Sequence, residues 1–143
     1  MLLFKHLIMN QENSRTNVFF KFENLRIYHK SIDFANAIIV LSNYCHSDAD
    51  RLVINMFANE ALQITSNIIE GSYKPKDVFI EYLLKVKDSI GKCVALCTIA
   101  EKRQITDDTQ KDDIRNELME LTKMVGALIV SLQKHEPENN IEL

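Results

Sequence analysis

The sequence predicts an all-α protein, an up-down-up-down four-helix bundle, and three observations carry that prediction. Glycine and proline are scarce, three and two in 143 residues. Strand-rich folds need frequent tight turns, and turns draw on these residues. Four stretches repeat apolar side chains at three- and four-residue steps, the period of one helix face. Each stretch is about 20–29 residues, roughly 30–43 Å of helix. The breaks between them are short, so successive helices of matched length lie antiparallel. A single domain of this length buries roughly 70% of its unfolded surface and needs no disulfide staples. The bundle is placed at residues 21–136, after an N-terminal extension over 1–20 and before a flexible tail over 137–143.

The first helix is predicted over 24–44, capped by Asn24, with Leu25, Tyr28, Ile32, Ala35 and Ile39 facing inward. The second is predicted over 48–70, with Asp48 or Asp50 at its positive end. Val53, Phe57, Ala61, Ile64 and Ile68 form its stripe, and Gly71 reads as a left-handed stop. The third is predicted over 75–103, with Pro75 in the first turn, where a missing N–H costs nothing. Its stripe is Phe79, Tyr82, Val86, Ile90, Cys93, Cys97 and Ala100. Gly91 inside it costs up to about 1 kcal/mol and could permit a close helix contact. The fourth is predicted over 108–134, where Ile114, Leu118, Leu121, Val125, Leu128 and Leu132 make a heptad seam.

Apolar residues exceed one stripe per helix. Ile38, Val40 and Leu41 widen the first face, Leu83, Leu84, Val94 and Leu96 the third, and Ile129 and Val130 the fourth. Soluble monomers rarely expose large contiguous apolar patches, so this surplus points to self-association. Scattered exposed apolar side chains are the plainer reading.

The chemistry-bearing residues are not arranged for catalysis. Cys93 and Cys97 stand one helical turn apart, but both fit the apolar stripe and no Cys-x-x-Cys or His-Glu-x-x-His spacing appears. No phosphate-binding glycine loop, nucleophile elbow or Glu-x-x-His pair is present. Asp107–Asp108 and Asp112–Asp113 suit the dipole at the start of the fourth helix. The expectation is a non-enzyme with no catalytic residue, cofactor or metal. Three cysteines in a chain of this size suit a reduced, cytoplasmic setting. The opening "MLLFKHLIM" is broken by Lys5 and His6 and is not read as a signal peptide; Met9 could be the native start. No apolar run approaches the roughly 20 residues that span a bilayer, so no membrane partner is expected.

Net charge is −3. Against that background Arg26, Lys30, Lys74, Lys76, Lys85, Lys87 and Lys92 form a candidate patch for RNA or DNA, although a solvated helix face explains the same lysines. Ser66 and Asn67, in the last turn of the second helix, could bond a neighbouring helix or cap loose carbonyls. Glu70 could pair with a Lys or Arg there.

These residues also carry a resemblance. "FENLRIYHKSIDFANAI" (22–38), "SNIIEG" (66–71) and "FIEYLLKVKDSIGKC" (79–93) resemble motifs of the bacterial four-helix-bundle proteins first noticed in intervening sequences of 23S ribosomal RNA genes. The resemblance spans about residues 20–134. It implies a ring-like homo-oligomer, expected to be a pentamer, with no enzymatic activity. It is similar in turn to the accessory proteins of diversity-generating retroelements, basic pentamers that bind nucleic acid and a reverse transcriptase. Expected partners are therefore the chain itself, RNA or DNA, or another protein. Two departures stand out. Ala58 and Asn59 occupy positions where many relatives carry arginines, and Lys92 and Val94 stand where relatives often have glutamates.

Overall fold

Four long helices form, and their ends follow from local chemistry. The computed structural model describes residues 19–134. They make α1 (Arg26–Val40), α2 (Asp48–Ser72), α3 (Lys76–Lys102) and α4 (Asp108–Lys134), with 3-10 turns at Lys21–Asn24 and Leu41–Tyr44. No strand occurs among the described residues. The expected N-terminal extension, apart from Phe19 and Phe20, and the expected tail lie outside them.

Each helix packs on its sequence neighbours, and α1 closes the bundle against α4. The α2–α3 contact is the most extensive of the four and the α1–α4 contact the least. Ion pairs report the antiparallel order. Arg103 Nε, just past α3, lies 2.8 Å from Asp50 Oδ1 in the first turn of α2. Lys111 Nζ, early in α4, lies 3.2 Å from Glu101 Oε1 late in α3.

Ser47 caps α2 by accepting from Asp50 N at 3.1 Å. At α4, Gln110 N donates to Asp107 Oδ1 at 2.7 Å while Asp107 N donates to Gln110 Oε1 at 3.0 Å. This reciprocal capping box satisfies two donors that a helix start leaves open. Asn24 does not cap α1, contrary to expectation. It belongs to the preceding 3-10 turn, and Leu25 holds the cap position without a side-chain bond. The turn meets the need through the backbone, with Leu25 N donating to the Phe22 carbonyl at 3.0 Å. Pro75 stands just outside α3, at the cap itself.

Gly71 is not a left-handed stop. The helix runs on to Ser72, and among the described residues no glycine has a positive φ. The left-handed residue is Gln104, φ 58°, between α3 and α4. Gly71 is buried, and a Cβ there would lie 2.7 Å from Tyr82 Cβ and 3.2 Å from its Cγ. Glycine is needed for the close approach of α2 to α3.

The stripes of α2, α3 and α4 bury largely as expected, around Phe57, Ile64, Ile68, Val86, Cys93, Leu118, Leu121 and Val125. Val53, Leu128 and Leu132 are only partly buried. On α1 the phase is different. Ile27, Ser31, Phe34, Ile38 and Leu41 face inward with Ala35, whereas Ile32 and Ile39 are exposed. The helix is apolar on two sides, and its inner stripe contains a serine that interrupts the pattern. Ser31 Oγ donates to the Tyr28 carbonyl at 2.7 Å and accepts from Thr65 Oγ1 of α2 at 2.9 Å, so the buried hydroxyls are satisfied. Thr65 thus makes the interhelical bond expected of Ser66 or Asn67. Asn67 Nδ2 returns to the Gln63 carbonyl of its own helix at 2.9 Å. Ile38, Leu41, Leu83 and Leu96, assigned from sequence to surplus faces, are core.

Truncating Leu121, which has no exposed surface, to alanine is expected to cost about 2–5 kcal/mol in urea unfolding. Gly71→Ala is expected to cost about 1–3 kcal/mol, because the new methyl meets Tyr82 Cβ in a packed interior. Gly126→Ala, with nothing within 4 Å of its Cβ position, should instead gain about 0.5–1 kcal/mol from helix propensity. Equal effects at the two glycines would contradict the packing account.

A pH series tests the charged contacts. The hydrogen bond from Arg103 holds the Asp50 carboxyl below its ordinary range, and that from Lys30 does the same for Glu120. A depressed folded-state pKa adds stability above the unfolded value and loses it as pH falls through the folded one. Asp33 acts in the opposite sense, because burial raises its carboxyl and protonation relieves that burden. Urea midpoints measured from pH 7 to about pH 3 should fall with acid, and less steeply in Arg103→Ala. Parallel curves would remove Arg103 from the account.

Candidate functional site

The seven basic residues picked out by sequence do not form one patch. Lys30 lies between two carboxylates of α4, 2.6 Å from Glu117 Oε2 and 2.5 Å from Glu120 Oε2. Burial works against its charge, but the hydrogen bonds to both glutamates outweigh it and raise the ammonium pKa. Its charge is spent on joining α1 to α4. Lys92 Nζ is 3.9 Å from Glu60 Oε1 of α2. Lys85 Nζ stands 4.4 Å over the centre of the Tyr82 ring, a cation–π geometry. Helical spacing puts Lys85 and Lys92 on one side of α3 and Lys76 and Lys87 on the opposite side, since a residue advances about 100°. Arg26 is exposed at the start of α1.

Lys74 and Lys76 do converge, and a residue outside the sequence-based set joins them. Lys21, Lys74, Lys76 and Ser72 rim a cavity of about 290 Å³ at the end of the bundle that holds the α2–α3 turn. Leu25, Phe79, Leu128 and Leu132 line it, so the apolar ends of all the helices but α2 contribute to it. Aromatic rings gather beside it. Phe22 is 5.0 Å from Tyr28 and 6.1 Å from Tyr73, centre to centre. Phe19, Phe20 and Tyr73 are exposed. Lys21 was missed because it lies over fifty residues from Lys74 in sequence; only the antiparallel return of the chain unites them.

A second surface is apolar. On α1, Ile32 and Ile39 lie two turns apart on the outer face with Val40 beside them, and on α2 Leu52 and Met56 lie one turn apart. Leu52, near the start of α2, is 60% exposed, and Ile39, near the end of α1, is 47% exposed. On the α3–α4 side a groove of about 530 Å³ runs over Ile90, Val94, Leu118 and Met119, with Asp112, Arg115, Asn116 and Thr122 at its polar edge. Gly91 is exposed on α3 with nothing within 4 Å of its Cβ position, so no contact among the described residues requires it.

Nucleophilic or metal-binding groups are placed for packing. Cys45, Cys93 and Cys97 are free and buried. Burial pushes the Cys93 thiol up to about 12, which keeps it protonated near neutral pH, whereas reactive or ligating cysteines are thiolates. Among the described residues no three His, Cys, Asp or Glu side chains converge as a metal-holding group. His29 Nε2 sits 2.5 Å from the Glu23 carbonyl, tying α1 to the 3-10 turn before it. Glu70 is exposed and takes part in no ion pair among the described residues. No described helix is long and apolar enough to cross a membrane.

No curated protein matches the chain. Residues 23–127 match the family described as 23S rRNA-intervening sequence protein. That span contains the "SNIIEG" segment at 66–71 near the end of α2, the Ser31–Thr65 bond, and Gly71 with Tyr82 against it. The chain belongs to the 23S rRNA-intervening sequence protein family.

Proposed function

We propose that the protein is a non-enzymatic assembly module whose outer helix faces pack copies of the chain into a closed homo-oligomer. The observation that carries this reading is the exposure of four large apolar side chains on α1 and α2, Ile32, Ile39, Leu52 and Met56, on helices whose inner stripes already fill the core. Burying such side chains yields about 25 cal/mol per Å² of apolar area, and soluble monomers rarely leave large patches of them in water. Gly91 supports the reading, because a helix-interior glycine costs about 1 kcal/mol and a helix of another copy would use the space it leaves. A head-to-tail contact with a suitable rotation closes into a ring. The ring of five that the resemblance implies is the finer form of the proposal. The dispersed titratable groups and protonated buried thiols support a role without catalysis.

Binding of RNA or DNA is the second reading. One observation favours it: Lys21, Lys74 and Lys76 gather beside exposed Phe20 and Tyr73, the pairing of cations and stacking surfaces that single strands use. A ring would repeat that end on every copy and raise avidity without new contacts. The net charge of −3 and the internal neutralisation of Lys30 place it second.

Light scattering at micromolar concentration should give a mass that is a whole multiple of 16.5 kDa, five-fold for the pentamer. The double substitution Ile32→Glu with Ile39→Glu should lower that mass while leaving the helical circular dichroism unchanged. A wild-type mass of one chain would contradict the assembly, and a dimer would contradict the ring. A gel shift with single-stranded RNA at graded salt tests the second reading: phosphate contacts require binding that weakens as salt rises, and no shift at low salt would reject it.

A further inference from the structure

We propose that the groove over α3 and α4 receives α2 of the next copy, so that the assembly is joined head to tail. This inference rests on the homo-oligomeric reading and names the two surfaces that meet. The first is the outer face of α2. Between Leu52 and Gln63 the exposed side chains are Leu52, Asn55, Met56, Asn59, Leu62 and Gln63, and none is charged. Glu60 is the one charged residue of that stretch, and it is half-buried with its carboxylate 3.9 Å from Lys92 of α3. The outer face of a helix in water normally carries charged side chains. Here about three turns carry none, and depletion of charge marks the core of a protein contact. Exposed Ile32 and Ile39 of neighbouring α1 add apolar area.

The second surface is the groove of about 530 Å³ over Ile90 and Val94 of α3 and Leu118 and Met119 of α4. Gly91 lies beside Val94 on α3, and its open Cβ position lets another helix come close. The two surfaces share no residue, so one copy engages both at once. They also stand at the same level of the bundle. Asp50 meets Arg103, Glu60 meets Lys92 and Gly71 meets Tyr82, which holds α2 and α3 in a single antiparallel register. Glu101 meets Lys111, which carries the level on to α4. Leu52 is thereby level with Lys111, and Gln63 with Ile90 and Thr122. The groove runs along α4 from Asp112 to Thr122, so it spans the same height as the uncharged stretch of α2. Rotation about an axis along the helices moves a copy around without sliding it, and only surfaces at one level meet in a closed ring. An α2 face that paired with itself would need a two-fold axis, stop at a dimer and leave the groove open. The charges fit the same pairing. The groove's edge carries Asp112 and Arg115, one of each sign, which gives it no pull on a polyanion. Just before the uncharged stretch, Arg51 stands within a turn of the level of Asp112 and is opposite to it in sign.

Mixing two disabled variants of the full-length protein tests this geometry. Leu52→Glu with Met56→Glu charges the α2 face, and Gly91→Gln with Met119→Glu obstructs the groove. All four positions are exposed, so helical circular dichroism should be unchanged. By light scattering each variant alone should give the mass of one chain, 16.5 kDa. Their equimolar mixture should give twice that mass, because one intact face meets one intact groove and the pair has no way to extend. A groove variant that keeps the wild-type mass would overturn the proposal and leave the homo-oligomer standing, and so would a mixture that stays at one chain. A wild-type mass of one chain would overturn both. Methionine oxidation by peroxide, read by peptide mass spectrometry, needs no variant. In the wild-type protein Met56 and Met119 should both oxidise slowly at micromolar concentration and faster on dilution. Protection of Met56 with fast, dilution-independent oxidation of Met119 would remove the groove as the receiving surface.

Discussion

The close approach of α2 to α3 at Gly71 governs the rest of the structure. With no room for a Cβ between Gly71 and Tyr82, the two helices meet at backbone distance just before a turn of only three residues, Tyr73 to Pro75. A hairpin closed that tightly at one end has little freedom in its register. It forms the most extensive interface of the bundle, and α1 and α4 are laid against its two sides. Polar contacts also join α1 to its two neighbours. Lys30 joins α1 to two glutamates of α4, and Thr65 joins α2 to Ser31 of α1. Exposed ion pairs contribute little each, so apolar burial remains the main stabiliser and the charged contacts fix which faces meet.

Legibility in the sequence tracked how one-sided each helix is. α4 has one dominant apolar seam, and its limits and four of its core positions, Ile114, Leu118, Leu121 and Val125, are readable without structure, whereas Leu128 and Leu132 are only partly buried. α1 is apolar on two sides and hides a serine in its inner stripe. Periodicity alone therefore selected Ile32 and Ile39, which face outward, in place of Phe34 and Ile38. Gly71 was recognised as special for the wrong physical reason, because a glycine near a helix end satisfies either a left-handed cap or a close contact. Only the position of Tyr82 distinguishes them. Of the two roles open to Ser66 and Asn67, Asn67 bonds a carbonyl of its own helix, and the interhelical bond falls to Thr65, one position earlier, for a related cause. Thr65 was hidden by its apolar neighbour Ile64, and its partner Ser31 lies 34 residues away. The basic patch was the least legible feature. Sequence counts lysines but does not show that α4 neutralises Lys30 or that Lys21 returns beside Lys74.

These corrections sharpen the functional picture. The apolar surplus is real, but it lies on the outer faces of α1 and α2 more than on the residues first assigned to it. The cationic cluster is smaller than a count of lysines suggests: Lys21, Lys74 and Lys76 gather at one end, next to exposed aromatic rings. The two surfaces are separate, lateral and terminal. In the proposed assembly, copies meet through their sides and the lysine-rimmed ends lie outside that contact.

The claim on which this picture stands is that the outer apolar side chains of α1 and α2 are covered by other copies. Hydroxyl-radical footprinting at micromolar concentration, resolved to single residues, measures that cover directly. The account predicts that Ile32, Ile39 and Leu52 react far more slowly than their exposure in one chain implies, and speed up as the protein is diluted. Exposed Tyr73 at the end of the bundle should react quickly throughout. Fast, dilution-independent reaction at Ile32, Ile39 and Leu52 would contradict it.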